Sequence, residues 1–185
     1  GFSFIAGGIK GLLLRAAVRQ ALRLALSGSN SRAVFQNSED LSEFVSGGLV
    51  PAERAVLIRG GSGVDLEVFR PAPEPEGIPV ALLPARLLWD KGVGEFVEAA
   101  RRLRAEGLAA RFALVGASDE DNPAAVPPAA LEEWRREGCV ELWGHRDAMA
   151  AALASSSVVC LPSYREGCPK ALLEAAACGL PIAAT

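Results

Sequence analysis

The chain has 185 residues, 50% of them hydrophobic and 22% charged, which suits one domain or pieces of two and is too apolar for intrinsic disorder. Its 12 prolines and 19 glycines show no repeat, which excludes a collagenous or low-complexity protein, and no apolar run approaches the ~18 residues of a membrane span. A net charge of −3 argues against a nucleic-acid partner. Cys139, Cys160, Cys168 and Cys178 form no CxxC pair and there is one histidine, so no zinc site is expected and reduced cysteines in a cytosolic setting are.

The chain opens Gly1-Phe2-Ser3 without a charged stretch before an apolar run, so no signal peptide is read there. It stops within an expected buried strand, at Leu180-Pro181-Ile182-Ala183-Ala184-Thr185. It therefore reads as a fragment truncated at both ends. Residues 9–26 have helical spacing, with Arg15, Arg19 and Arg23 on one face. Five basic residues and no acid precede Glu39, leaving 14 basic against 22 acidic in the remainder. That helix is either a packing element with a solvated basic face or, through Lys10 and the three arginines, a surface for anionic lipid or a lipid diphosphate.

A short strand is expected at 33–37, then a helix capped by Ser38 and ending near Gly47-Gly48. Residues 55–58 read as a second buried strand, and Gly60-Gly61-Ser62-Gly63 breaks the pattern. The prolines of 70–79 predict an interdomain linker. From residue 80 the rhythm alternates. Strands are expected at 80–84, 112–115, 140–143, 158–161 and 181–184, with helices at 92–106, 129–137, 147–154 and 169–178. Such alternation predicts a Rossmann-like, doubly wound parallel sheet of the α/β class, whose ligands bind at the carboxyl ends of the strands.

No GxGxxG follows a strand, and there is no GxxxxGK[ST] or GxSxG. His145 could be a catalyst or an ordinary loop residue. The informative stretch runs from Pro162 to Ala175 (PSYREGCPKALLEA). Pro169 suits a first helical turn, and Gly167 and Cys168 would present N–H groups at a helix N-terminus, where anions bind. Glu166 and Glu174, with seven residues between them, would touch different parts of an extended ligand, as acid/base groups or as hydroxyl acceptors. Taken alone, Glu174 also suits an exposed helix surface. Arg86 and Lys91, after the strand at 80–84, suit a diphosphate beside a helix N-terminus.

These residues resemble the retaining glycosyltransferase family 4, also called group 1, with its two-domain B-type fold. The resemblance runs through 37–44, 59–71, 86–92, 112–116, Trp143-Gly144-His145 and 162–185, and is most specific in the Glu–seven–Glu motif with its EGxPK setting. The stretches LLWDKGVGEFVEAARRL and LPSYREGCPKALLEAAACG look like the branch of bacterial capsule and lipid-linked oligosaccharide transferases, which act on undecaprenyl-diphosphate-linked sugars.

The resemblance implies residues 1–69 as the end of an acceptor-side domain, 70–79 as linker and 80–185 as a truncated nucleotide-sugar domain. It implies that Glu166 binds donor-sugar hydroxyls near the reacting carbon, that Arg86 and Lys91 hold the diphosphate, and that Glu174 holds the ribose. Gly167, Cys168 and Pro169 would underlie the donor, while Gly144, His145 and Arg146 would line the base. No metal or cofactor is implied beyond a nucleotide-sugar donor, for which UDP is the expected carrier. The implied acceptor is a lipid-linked sugar or a glycan, and the implied place is the cytoplasm, with peripheral contact at the inner face of the plasma membrane through 9–26. Two departures stand out: one glycine more than the family's usual GSGVD at 60–63, and Cys168 where Phe or Leu is common. The acceptor contacts and usual active-site histidine of the family would lie outside the chain, so the fragment alone is expected to be inactive. Alternative readings are a non-catalytic nucleotide-sugar-binding module and a nucleotide-sugar epimerase of the same fold.

Overall fold

Alternation within the strands fixes which side chains meet on each face of the sheet, and the computed structural model shows this for residues 8–58, 63–119 and 121–185. By packing, the chain divides into one unit through Ser62 and a second from Gly63, ahead of the proline-rich stretch 70–79. Arg59 and the Gly60-Gly61-Ser62 part of the extra-glycine loop lie outside the described residues, as does the side chain of Lys10.

The first unit holds helix α1 (Gly8–Ala25), strand β1 (Ala33–Phe35), helix α2 (Ser38–Ser46) and strand β2 (Ala55–Leu57). The two strands pair in parallel, and Phe35 meets Phe44 edge-on at 5.2 Å. The cap of α2 is Asn37, not Ser38: the Asn37 side chain accepts from the Asp40 N–H at 2.7 Å. Asn37 is the last extended residue, and its short amide reaches the third helical N–H, whereas Ser38 is already helical. Arg19 and Arg23 donate to the Gly47 carbonyl at 3.1 and 3.2 Å, and Arg23 also reaches the Gly48 carbonyl at 3.3 Å. These guanidiniums satisfy carbonyls at the C-terminal end of α2, which is the packing role of the basic helix face.

The second unit alternates β3 (Val80–Pro84), α3 (Val93–Ala105), β4 (Arg111–Val115), α4 (Pro128–Glu137), β5 (Glu141–Gly144), α5 (Met149–Ala154), β6 (Val158–Leu161), α6 (Lys170–Ala177) and β7 (Ile182–Ala184). All five strands run parallel in the order β5-β4-β3-β6-β7. β3 is buried along its whole length, as a central parallel strand must be. Ala81, Leu83, Phe112 and Leu114 face one core with Val93, Phe96, Val97 and Ala100 of α3 and Trp134 of α4. Val80, Leu82, Ala113, Val115 and Val159 face the other, with Ala152 and Leu153 of α5 and Ala175 of α6. Helices thus cover both faces, and Phe69 packs into the second core.

A bidentate ion pair joins neighbouring strands at the sheet's outer edge. Arg111 holds Glu141 through Nε and Nη2, both at 2.7 Å, and Trp143 Nε1 donates to the same carboxylate at 2.9 Å. The Arg111 hydrogen bond chiefly holds the Glu141 carboxyl below its ordinary 4.5. A carboxylate lowered on folding stabilises the fold above its unfolded pKa and loses that contribution as the pH falls. Glu141→Gln is therefore expected to lower the melting temperature near neutral pH. The gap from wild type should shrink as pH drops below 4.5. Melting curves at several pH values would read this, and a gap that is constant with pH would refute it.

Candidate functional site

The strand order reverses beside β3. From there the chain runs outward through β4 and β5, then returns to place β6 and β7 on the other side. Crevices at such a reversal, outside the carboxyl ends of the strands, are where open α/β sheets bind ligands. The loops after β3 and β6 meet there, and they carry Arg86, Lys91 and Glu166.

Lys91 is placed by a 3-10 turn at Trp89–Lys91, which Gly92 ends in the left-handed region at φ 72°. A Cβ on Gly92 would fall 1.9 Å from the Pro162 carbonyl oxygen. This absence of a side chain lets the two loops touch backbone to backbone. Lys91 Nζ then lies 2.6 Å from Glu166 Oε1, with the two side chains only 19% and 24% exposed. The spacing of the sequence linked neither residue to the other; strand order does.

Arg86 is more open, and its Nη1 lies 2.7 Å from Asp119 Oδ2. Asp119 follows β4, and sequence reasoning assigned it no role. The rule that polar residues after strands deserve attention could have found it. Gly116 allows that loop to approach, since a Cβ there would fall 1.8 Å from the Ala85 carbonyl oxygen. The Arg86–Asp119 contact is single-pronged, so the guanidinium keeps further N–H donors for an anion.

Glu174 is not an exposed helix acid: it is 7% exposed, on the second turn of α6. Its ion-pair partner is Lys170, 3.3 Å away and one turn earlier. A carboxylate so covered retains acceptor capacity for hydroxyl groups beyond that one ammonium. Pro169 is the N-cap of α6 rather than a first-turn residue, because its ψ of 114° is extended. Cys168 and Pro169 are half-buried, and Gly167 is exposed at the loop tip.

His145 and Arg146 follow β5, three strands from β6, or about 14 Å along the sheet edge at the usual strand spacing. The His145 side chain is exposed, and its Nε2 lies 3.2 Å from Asp147 Oδ1. Arg146 lines an open groove with Arg111, Trp143 and residues of α5. The two belong to the carboxyl edge of the sheet but not to the Lys91–Glu166 cluster. Among the described residues no group of three or more His, Cys, Asp or Glu is arranged to hold a metal ion, and no helix is long and apolar enough to cross a membrane.

Residues 78–185 match the family described as Glycosyl transferases group 1. The chain belongs to that family. Among relatives of this chain is the N,N'-diacetylbacillosaminyl-diphospho-undecaprenol alpha-1,3-N-acetylgalactosaminyltransferase of Campylobacter jejuni, 32% identical over 98% of this chain and 49% of the relative. The chain thus spans about half the length of that relative. Solved structures similar to this chain include HepE of Anabaena in complex with UDP and glucose. The TM-score is 0.69 at 20% identity, covering 90% of this chain and 48% of that one. WaaG, a glycosyltransferase involved in lipopolysaccharide biosynthesis, is similar with a TM-score of 0.65 at 19% identity, covering 85% of this chain and 45% of that one. The fold is the Rossmann-like doubly wound sheet of the glycosyltransferase B-type class.

Proposed function

We propose that the whole protein is a retaining glycosyltransferase that moves a sugar from a UDP-linked donor to a lipid-linked or glycan acceptor in cell-surface polysaccharide synthesis. The observation that carries this reading is the 2.6 Å Lys91–Glu166 pair at the strand-order reversal. An ammonium has three donors and a carboxylate two acceptor oxygens, so the pair keeps capacity on both sides. Lys91, with Arg86, can take phosphate oxygens while Glu166 takes sugar hydroxyls within a few ångströms. In this reading Glu174 accepts from the ribose, Gly167 and Cys168 donate backbone N–H groups above Pro169, and the turn at His145 and Arg146 lines the base.

During transfer the bond from the anomeric carbon to the diphosphate oxygen breaks, and charge grows on the leaving UDP. Arg86 and Lys91 stabilise that charge where it develops. The acceptor oxygen bonds to the anomeric carbon on the face the diphosphate leaves, and its proton passes to the departing phosphate oxygen. No metal enters this scheme. UDP and glucose in HepE and the diphospho-undecaprenol in the Campylobacter relative's name support the donor and acceptor classes. The unit from Gly63 onward is then the donor-side domain, and the unit through Ser62 the end of the acceptor-side domain; the boundary falls before the 69/70 expected from the sequence, because Phe69 packs into the second core. A cytoplasmic location, with α1 meeting the membrane surface, belongs to the same proposal; Leu12, Leu13 and Leu24 are exposed on that helix.

Calorimetric titration of the full-length protein with UDP, GDP and ADP tests the reading. UDP is expected to bind best, and Glu174→Gln is expected to weaken it by about 1–3 kcal/mol, the cost of a lost charged hydrogen bond. A folded protein that binds none of the three would overturn the donor site. Binding of UDP without sugar transfer to any acceptor would instead favour a non-catalytic module.

A further inference from the structure

The loops after β3 and β6 are joined by more than the ion pair between them. Ser163 is 4% exposed, and its hydroxyl donates to the Asp90 carbonyl at 3.0 Å. The Tyr164 N–H donates to the same oxygen at 3.0 Å, and the Tyr164 hydroxyl donates to Glu95. The Thr185 hydroxyl, at the end of β7, donates to the Ser163 carbonyl at 2.9 Å. Asp90 directly precedes Lys91, and Ser163 stands three residues before Glu166.

The Lys91–Glu166 pair joins two long, partly exposed side chains. Such pairs gain little by themselves and cost side-chain entropy to hold in one geometry. Their separation must be set by something stiffer. A buried hydroxyl bonded between the two backbones, in surroundings poor in water, supplies that stiffness.

We propose that Ser163 is a positioning residue: its hydroxyl clasps the Asp90 carbonyl and so holds the Glu166-bearing loop in register with Lys91. Ser163 touches no substrate in this account. The catalytic consequence rests on the proposed function, whereas the clasp itself does not. Removing the hydroxyl leaves the Asp90 carbonyl its bond from Tyr164, so Ser163→Ala is expected to fold. Ser163→Thr keeps the donor.

The first readout needs no activity. The full-length protein is labelled with an amine-reactive reagent, and the fraction modified at Lys91 is read by peptide mass spectrometry against Lys170. Glu166→Gln frees Lys91 and is expected to raise its labelling severalfold. Ser163→Ala is expected to raise it likewise, and Ser163→Thr to restore the wild-type level. Lys91 labelling that stays at wild type in Ser163→Ala, while rising in Glu166→Gln, overturns the clasp.

The second readout is sugar transfer. Ser163→Ala is expected to lower kcat by about tenfold or more, since small misplacements of reacting groups have such effects, with KM for the donor little changed and Ser163→Thr restoring kcat. A kcat equal to wild type in Ser163→Ala overturns the catalytic part. If the wild type transfers no sugar yet Lys91 labelling follows Ser163 as described, the proposed function falls and the clasp stands.

Discussion

Gly92→Ala is expected to destabilise the second unit by about 3 kcal/mol, in the upper part of the range for single substitutions, and to abolish donor binding with it. Two costs combine. The left-handed φ of 72° costs an L-residue about 1–2 kcal/mol. The new Cβ would also fall 1.9 Å from the Pro162 carbonyl oxygen, which is backbone and cannot rotate aside. The loop that carries Glu166 must then move away from Lys91. Melting temperature should fall by about 6–12 °C for a protein of this size class, and UDP titration should show no heat. An alanine variant that melts within a degree of wild type would refute the close approach of the two loops.

Lys91→Met is expected to reduce sugar transfer by about 10²–10³-fold in kcat, the usual effect of deleting one group that stabilises developing charge. The methionine keeps the length and apolar stem but removes the ammonium from both the leaving diphosphate and Glu166. It also leaves the Glu166 carboxylate, 24% exposed as a side chain, without its counter-ion. Lys91→Arg is expected to recover part of the rate, because the charge returns on a wider, planar head. Transfer assays of the full-length protein with a labelled donor would measure both. A Lys91→Met rate within threefold of wild type would remove Lys91 from the chemistry proposed here.

The Ser38 and Pro169 corrections show how far local patterns reach. Both residues lie within one position of a helix end, and both were legible as helix-start signals. Which residue stays extended is settled by backbone angles that no residue type dictates on its own. Asp119 shows a different limit. It lies 33 residues beyond Arg86, and nothing local in 117–122 marks it as a partner. Only the parallel pairing of β3 with β4 brings the two loops to the same edge. Glu174 shows a third. Helical spacing allows an acid there to face water or the protein, and burial against the sheet chose the second.

By itself, the sequence determined the alternating strands and helices of 80–184 and the candidate residues of the two loops. These follow from periods of two and 3.6 and from glycine and proline punctuation, all of which are local chemistry. Tertiary structure alone decided that Lys91 and Glu166 form a pair, that Ser163 bonds across to Asp90, and that His145 and Arg146 stand three strands away. The reason is physical: residues 75 positions apart meet only because β6 returns to the free side of β3, and that strand order is a property of how the whole sheet buries its two faces.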